Sequence, residues 1–146
     1  MHRATAAVIG AMALALPNAN AWAAATAQKT APKTKVVTAT RSFLGTAAQA
    51  DRWGDVEVRI VVKKTTTTNL RTKKKTVTRR ITAATVPVYP DHTDRSVFIN
   101  RQALPILIQE TIQAQSSSID LVSGATDTSV AFQQSLQSAI LQAKAW

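Results

Sequence analysis

An α+β domain is the fold class this sequence predicts: a small antiparallel sheet, two helices packed on it, and an extended basic β-hairpin. Residues 56–62 read VEVRIVV, so that Val56, Val58, Ile60 and Val62 share one face and Glu57, Arg59 and Val61 the other, the period of a half-buried strand. Two later stretches place apolar residues three and four apart, the period of helices with one buried face. The chain contains no Cys, so packing alone must hold the domain together.

The elements follow in order. His2 and Arg3 precede an uncharged apolar run over residues 4–16, then Pro17 and small-residue sites at 19–21, 21–23 and 25–27. A basic start, a short apolar centre and such sites predict a secretory signal peptide over residues 1–25, and the run is too short for a comfortable membrane span. An extracytoplasmic protein is therefore expected: secreted, periplasmic or associated with the cell envelope. Residues 26–40 are dominated by Ala, Thr, Lys and Gln and are expected to form a disordered tether. The folded domain is expected over residues 41–146, a small unit with a modest core. Residues 43–49 predict a short strand and residues 53–55 a turn, before the strand that begins at Val56.

The segment from Lys63 to Arg80 holds Lys63, Lys64, Arg71, Lys73, Lys74, Lys75, Arg79 and Arg80 without one acid, whereas residues 91–146 carry three basic and five acidic residues. The positive field of this chain, net charge +10, thus belongs to one segment. Its Thr residues are β-branched and suit strands. With a turn near Asn69, a hairpin with arms at 56–68 and 72–88 is expected, ended by Pro87 and Pro90. Residues 91–96 are polar and turn-like. A helix is expected from Asn100, capped by it, with Leu104, Leu107, Ile108, Thr111 and Ile112 on its buried face and Pro105 in its first turn. Residues 119–122 predict a short strand. The last helix is expected over residues 128–143, with Asp127, Thr128 and Ser129 as competent caps and Phe132, Leu136, Ala139, Ile140 and Ala143 as the core face.

Several chemistries are excluded at once. Iron–sulfur clusters, covalent c-type haem and a lipid anchor through Cys all need the missing thiol. His92 is the only His besides His2, too few for a zinc site. There is no G-x-S-x-G sequence, so Ser123 and Ser129 are not assigned as hydrolase nucleophiles, and no catalytic residue is assigned.

Residues 120–129 read DLVSGATDTS, directly before the last helical pattern. Gly124 opens a backbone conformation closed to other residues, and Ala125 leaves space beside its neighbour. The following amides belong to a helix N-terminus, which favours an anion. A phosphate there would meet the hydroxyls of Ser123, Thr126 and Thr128, and Asp120 could orient a hydroxyl or a metal brought by a modifying enzyme. The same residues also make ordinary turn-and-cap chemistry. Trp53, Tyr89 and Phe98 could line a bound aromatic ring, but core packing is the expected role of each, and Arg95 and Asn100 either reach the site or serve the surface and the helix cap.

Residues 120–126 resemble the flavinylation motif of the FMN-binding domain family: Asp, two residues, Ser or Thr, Gly, Ala, Thr. That family includes domains of the C subunit of the sodium-pumping NADH–quinone reductase, of the G subunit of the Rnf complex, and small exported bacterial proteins with a single such domain. Trp53-Gly54-Asp55-Val56 is similar to the family's first hairpin. Arg95-Ser96, Ile99-Asn100, residues 103–107 and Glu110-Thr111 are similar to its middle helix. The resemblance implies FMN as cofactor, joined through its phosphate to Thr126 by a separate flavin transferase. It makes Ser123 a partner of the phosphate and Asp120 part of the transferase's recognition signal, with Gly124, Ala125 and Thr128 completing the site. It implies an electron carrier without substrate chemistry of its own, served by a redox partner in the membrane or envelope. The long basic hairpin departs from the family pattern and adds a candidate surface for an anionic envelope polymer or lipid. Nucleic acid is a poor partner for an exported chain. The rival expectations are an envelope-binding module without flavin, and noncovalent FMN binding with diaphorase-like activity.

Overall fold

The computed structural model describes residues 33–146, so the expected signal peptide and the first part of the expected tether lie outside the described residues. Strands β1 (Thr34–Leu44), β2 (Ala48–Gln49), β3 (Asp55–Asn69) and β4 (Lys75–Val88) precede helices α1 (Asp94–Ala114) and α2 (Thr126–Ala145). A single 3-10 turn, Asp51–Trp53, links β2 to β3. All strand pairs are antiparallel, and β3 is the centre: β1 and then β2 pair along one edge and β4 along the other. This is the expected α+β architecture, and the two arms of the hairpin lie close to where the Thr-rich pattern and Asn69 put them.

The β3 pattern acts as its alternation requires. Val56, Val58 and Ile60 are fully buried, and Phe132 and Leu136 of α2 and Leu107 of α1 meet them in one core. The expected core face of α2 is buried throughout, and that of α1 is buried at Leu104, Leu107 and Thr111.

One contact fixes how α2 lies on the sheet. β1 and β2 are separated by residues 45–47, which leaves β3 without a continuous ladder there. The Gly45 N–H donates to the Val58 carbonyl at 2.8 Å, while the Val58 N–H donates to the Ser135 hydroxyl at 2.9 Å. A buried N–H must find an acceptor, and here a helix supplies it where a strand is missing. Ser138 and Gln142 extend the same stripe: the Thr46 N–H donates to Ser138 Oγ at 3.2 Å and Gln142 Nε2 to the Leu44 carbonyl at 2.8 Å. A Cβ at Gly45 would overlap the main chain and hydroxyl of Ser135, so only Gly admits this approach.

Several boundaries differ from expectation, each for a local reason. Residues 34–40 form strand, not tether, because Thr34 through Thr40 pair in register with Asn69 through Lys63. The 43–49 strand is split at Gly45. The 53–55 turn is a 3-10 turn followed by Gly54 at φ 120°. Helix α1 starts at Asp94, six residues before Asn100, because Thr93 caps it: Thr93 Oγ1 accepts the Ser96 N–H at 3.0 Å and donates to Ser96 Oγ at 2.8 Å. Pro105 sits inside the helix on its exposed side, where the carbonyl it leaves unpaired can turn to water. Residues 119–122 form no strand, since helix side chains take their main-chain groups. Glu110 accepts the Asp120 N–H at 3.1 Å, Ser129 Oγ accepts the Val122 N–H at 3.1 Å, and Gln133 donates to the Ile119 carbonyl. Helix α2 begins at Thr126 with Ala125 as its N-cap, so none of the polar residues 127–129 has the capping role expected of it. Phe98 is 66% exposed and outside the core.

Replacing Gly45 with Ala is expected to cost about 3 kcal/mol or more, because the added methyl meets backbone. Ser135→Ala orphans the buried Val58 N–H and is expected to cost about 1–3 kcal/mol. Urea unfolding of each variant checks both, and a midpoint like that of the parent chain would contradict the close approach.

Candidate functional site

A cavity of about 210 Å³ opens where the start of α2, the first turns of α1 and the two ends of the hairpin meet. Its floor is Gly124 through Thr128. One wall comes from α1, with Arg95, Ser96, Ile99 and Asn100, and the other from Trp53 and Pro90. Trp53 lies just before β3 and Pro90 just after β4, so the hairpin brings them side by side.

Gly124 adopts φ 81°, a left-handed conformation that side chains rarely take, with open space around it. The need for Gly there is thus conformational. The Ala125 N–H closes the turn onto the Val122 carbonyl at 3.0 Å, and the first helical bond runs from the Ser129 N–H to the Ala125 carbonyl at 2.9 Å. The amides of Thr126, Asp127 and Thr128 therefore precede the helix's own hydrogen bonding and face the end where the dipole is positive. Thr126 is exposed and stands on the cavity lining.

Thr128 is buried and has a different role from the one its hydroxyl implies. Its Oγ1 donates to Asn100 Oδ1 at 3.0 Å, and Asn100 Nδ2 donates to the Pro90 carbonyl at 2.7 Å. That chain of bonds ties α2, α1 and the end of the hairpin together directly beneath the cavity. Asn100, 1% exposed, is a cross-link and not a cap. Ser129 behaves similarly, with its hydroxyl donating to the Ala125 carbonyl at 2.8 Å and accepting the Val122 N–H.

Of the residues expected at the site, Gly124, Ala125, Thr126 and Thr128 come together on the lining, and Asp120 and Ser123 do not. Both are exposed, and Asp120 belongs to a separate hollow beside Glu110 and Gln113. Ser123 directly precedes Gly124 of the lining. The lining adds Arg95, Ser96, Ile99 and Asp127. Positions 95, 96, 99 and 100 share one face of a helix, a pattern visible in the sequence only once the helix starts at Asp94. Arg95 is the cation of the lining and Asp127 its carboxylate. Trp53 is half-buried on the wall, with the Arg52 guanidinium 5.0 Å from its ring centre.

No curated protein matches the chain significantly. A family model described as the FMN-binding domain matches residues 51–141, which include the whole cavity lining and more than half of the chain. The chain belongs to the FMN-binding domain family.

Proposed function

We propose that this chain is an extracytoplasmic electron carrier whose FMN is esterified through its phosphate to Thr126. Flavin binding, with FMN as the cofactor, follows from the family. Covalent attachment, export and electron transfer are the further reading. The observation that carries the attachment is the exposed Thr126 hydroxyl at the first position of a helix, on the lining of a cavity and beside amides without helical partners.

The residues fit the phosphate end of FMN. The amides of Thr126, Asp127 and Thr128 are donors, Arg95 adds a full positive charge, and Gly124 leaves the approach clear. Asp127 offers an acceptor for the hydroxyls of the ribityl chain. A volume of about 210 Å³ is below the range of about 300 Å³ and more in which pockets enclose ligands of this class. Gly124 through Thr128 and Arg95 would hold the phosphate, and Trp53, Pro90 and Ile99 on the walls would offer apolar surface to the rest of the flavin. Shallow enclosure gives weak retention, and a covalent bond removes that weakness. When bound, FMN supplies the redox chemistry, and the protein positions it.

Attachment needs a second protein. A Thr hydroxyl is a weak nucleophile without a base, and no His lines the cavity. The ester forms between Thr126 Oγ1 and the phosphorus of a flavin dinucleotide donor. The bond that breaks is the donor's P–O–P anhydride, and the nucleoside monophosphate leaves with its electron pair. The hydroxyl proton passes to a base of the flavin transferase. Asp120 and Glu110, exposed or half-buried in their own hollow away from the cavity, are available to that enzyme as a recognition feature.

Coexpression with a flavin transferase is expected to give a flavin-fluorescent band on a denaturing gel. Thr126→Ala is expected to lose the band while its stability stays within about 0.5 kcal/mol, since the residue is exposed. Flavin that is held in the native state but released on denaturation would assign noncovalent binding instead. In the unlabelled chain FMN is expected to bind more tightly than riboflavin. Arg95→Gln is expected to remove about 1.5–3 kcal/mol of that preference, measured by fluorescence titration of both flavins. An unchanged preference would take Arg95 out of the phosphate site.

A further inference from the structure

The sheet does not stop where its core stops. Toward the hairpin end the last buried residues are Phe43 of β1, Val62 of β3 and Ile81 of β4. The end of α2 reaches only as far as Lys64, whose ammonium lies 4.6 Å from the Trp146 ring centre and donates to the Trp146 main-chain oxygen. The end of α1 reaches only Ile81, where the Gln115 amide accepts the Ile81 N–H at 2.7 Å and donates to its carbonyl at 2.9 Å. Past that row the three long strands continue as an arm, with β1 exposed over residues 34–42 and β4 over residues 75–80.

The register sorts the arm's side chains into two faces and a tip. On the face continuous with the core, Thr66 stands between Val37 and Val77, and Thr68 between Lys35 and Lys75. The opposite face pairs Lys63 with Arg80 and is otherwise mostly Thr, with Val36 beside Thr67. The tip is an ordered turn: Asn69 Oδ1 accepts the Arg71 N–H at 3.0 Å and the Thr72 N–H at 3.1 Å, and Lys73 takes φ 59°. It presents Leu70 among Arg71, Lys73 and Lys74. Residues 34–42 and 63–81 contain no acid at all. Charge alone would suit any polyanion. However, Val37 at 52%, Val77 at 45% and Leu70 at 43% exposure place apolar side chains between and beyond the cations. A dissolved polymer has no use for those, whereas an anionic bilayer takes both, phosphates at the cations and acyl boundary at the apolar groups.

We propose that this arm docks the protein on an anionic phospholipid bilayer, through the Leu70 tip and the face that carries Val37 and Val77. Docking is peripheral, through side chains of the tip and of one sheet face, and no helix among the described residues is long and apolar enough to cross a membrane. The arm also sets a distance. β3 runs from Asp55, beside the flavin cavity, to Asn69 at the tip, roughly 46 Å at about 3.3 Å per residue.

Sedimentation of the full chain, with vesicles of phosphatidylcholine alone or mixed with phosphatidylglycerol, tests the proposal. Binding is expected to the mixed vesicles only and to fall steeply with salt. Replacing Arg71, Lys73 and Lys74 together with Ser is expected to weaken it by roughly a hundredfold. Leu70→Ser is expected to weaken vesicle binding and to leave retention on polyglutamate unchanged. Equal binding to both vesicles, or no loss in either variant, would overturn the proposal. So would retention on polyglutamate with no vesicle binding, which would assign the arm to a dissolved polymer. Thr126→Ala is expected to bind vesicles like the parent chain, so failure of the flavin assignment and failure of this one are separately visible. The substitutions lie outside the core, and a thermal unfolding midpoint equal to the parent's confirms that each variant is folded.

Discussion

The hydrogen bond from the Val58 N–H to the Ser135 hydroxyl sets the frame for everything else in this domain. It exists because the first strand breaks at Gly45, and the break is habitable only because a helix side chain replaces the missing strand. The exchange demands backbone-to-backbone closeness between α2 and the sheet, which Gly45 permits. Once Ser135 is pinned to β3, the position of α2 along its own axis is set. Its first residue, Thr126, then falls at the end of the sheet where Trp53 and Pro90 emerge. Its last turn falls beside Lys64, where the core ends and the arm begins. One local bond thus places Thr126 at one end of β3 and leaves the cations at the other.

The site is economical in polar groups. Buried hydroxyls and amides beneath the cavity are used on one another: Thr128 on Asn100, Asn100 on Pro90, Ser129 on Ala125. No buried side-chain donor or acceptor among the described residues lacks a partner. That leaves Thr126 as the hydroxyl on the lining not committed to the fold. An ester there does not compete with packing, and this is the property a modification site needs if the protein must fold before it is modified. The main-chain amides beside it are uncommitted for a different reason, since a helix cannot satisfy its own first turn.

The hairpin shows how a sheet can serve two purposes along its length. Near the helices its alternation is apolar against polar and it forms half of a core. Beyond Val62 and Ile81 the inward positions become Lys64, Thr66 and Thr68, all half-buried, with Trp146 against Lys64 at the boundary. Thr keeps the strand propensity while giving up hydrophobic burial, so the strands persist without a core to demand them. Pairing with β1 adds a third strand, and an arm of three strands is more rigid than a ribbon of two.

Much of this was legible in the chain itself. The 2-residue period of Val56 to Val62, the helical spacing of Phe132 to Ala143, the Thr-rich arms turning near Asn69 and the Gly124-Ala125-Thr126 order are all local, and local patterns survive in sequence. The departures arose wherever a residue's partner lies far along the chain. Residues 34–40 look like a tether until they meet residues 63–69, and residues 119–122 look like a strand until Glu110, Ser129 and Gln133 claim their main-chain groups. Thr128 and Asn100 look like caps until they bond each other, and Asp120 and Ser123 belong to the motif yet stand outside the cavity. The sequence by itself determined the fold class, the order of small and hydroxyl residues at the start of the last helix and the sign of the charge on the hairpin, because each depends on residue type and short-range spacing. Only the tertiary structure decided which polar groups are spent on the fold and which remain free for chemistry, because that depends on which distant donor reaches which acceptor first.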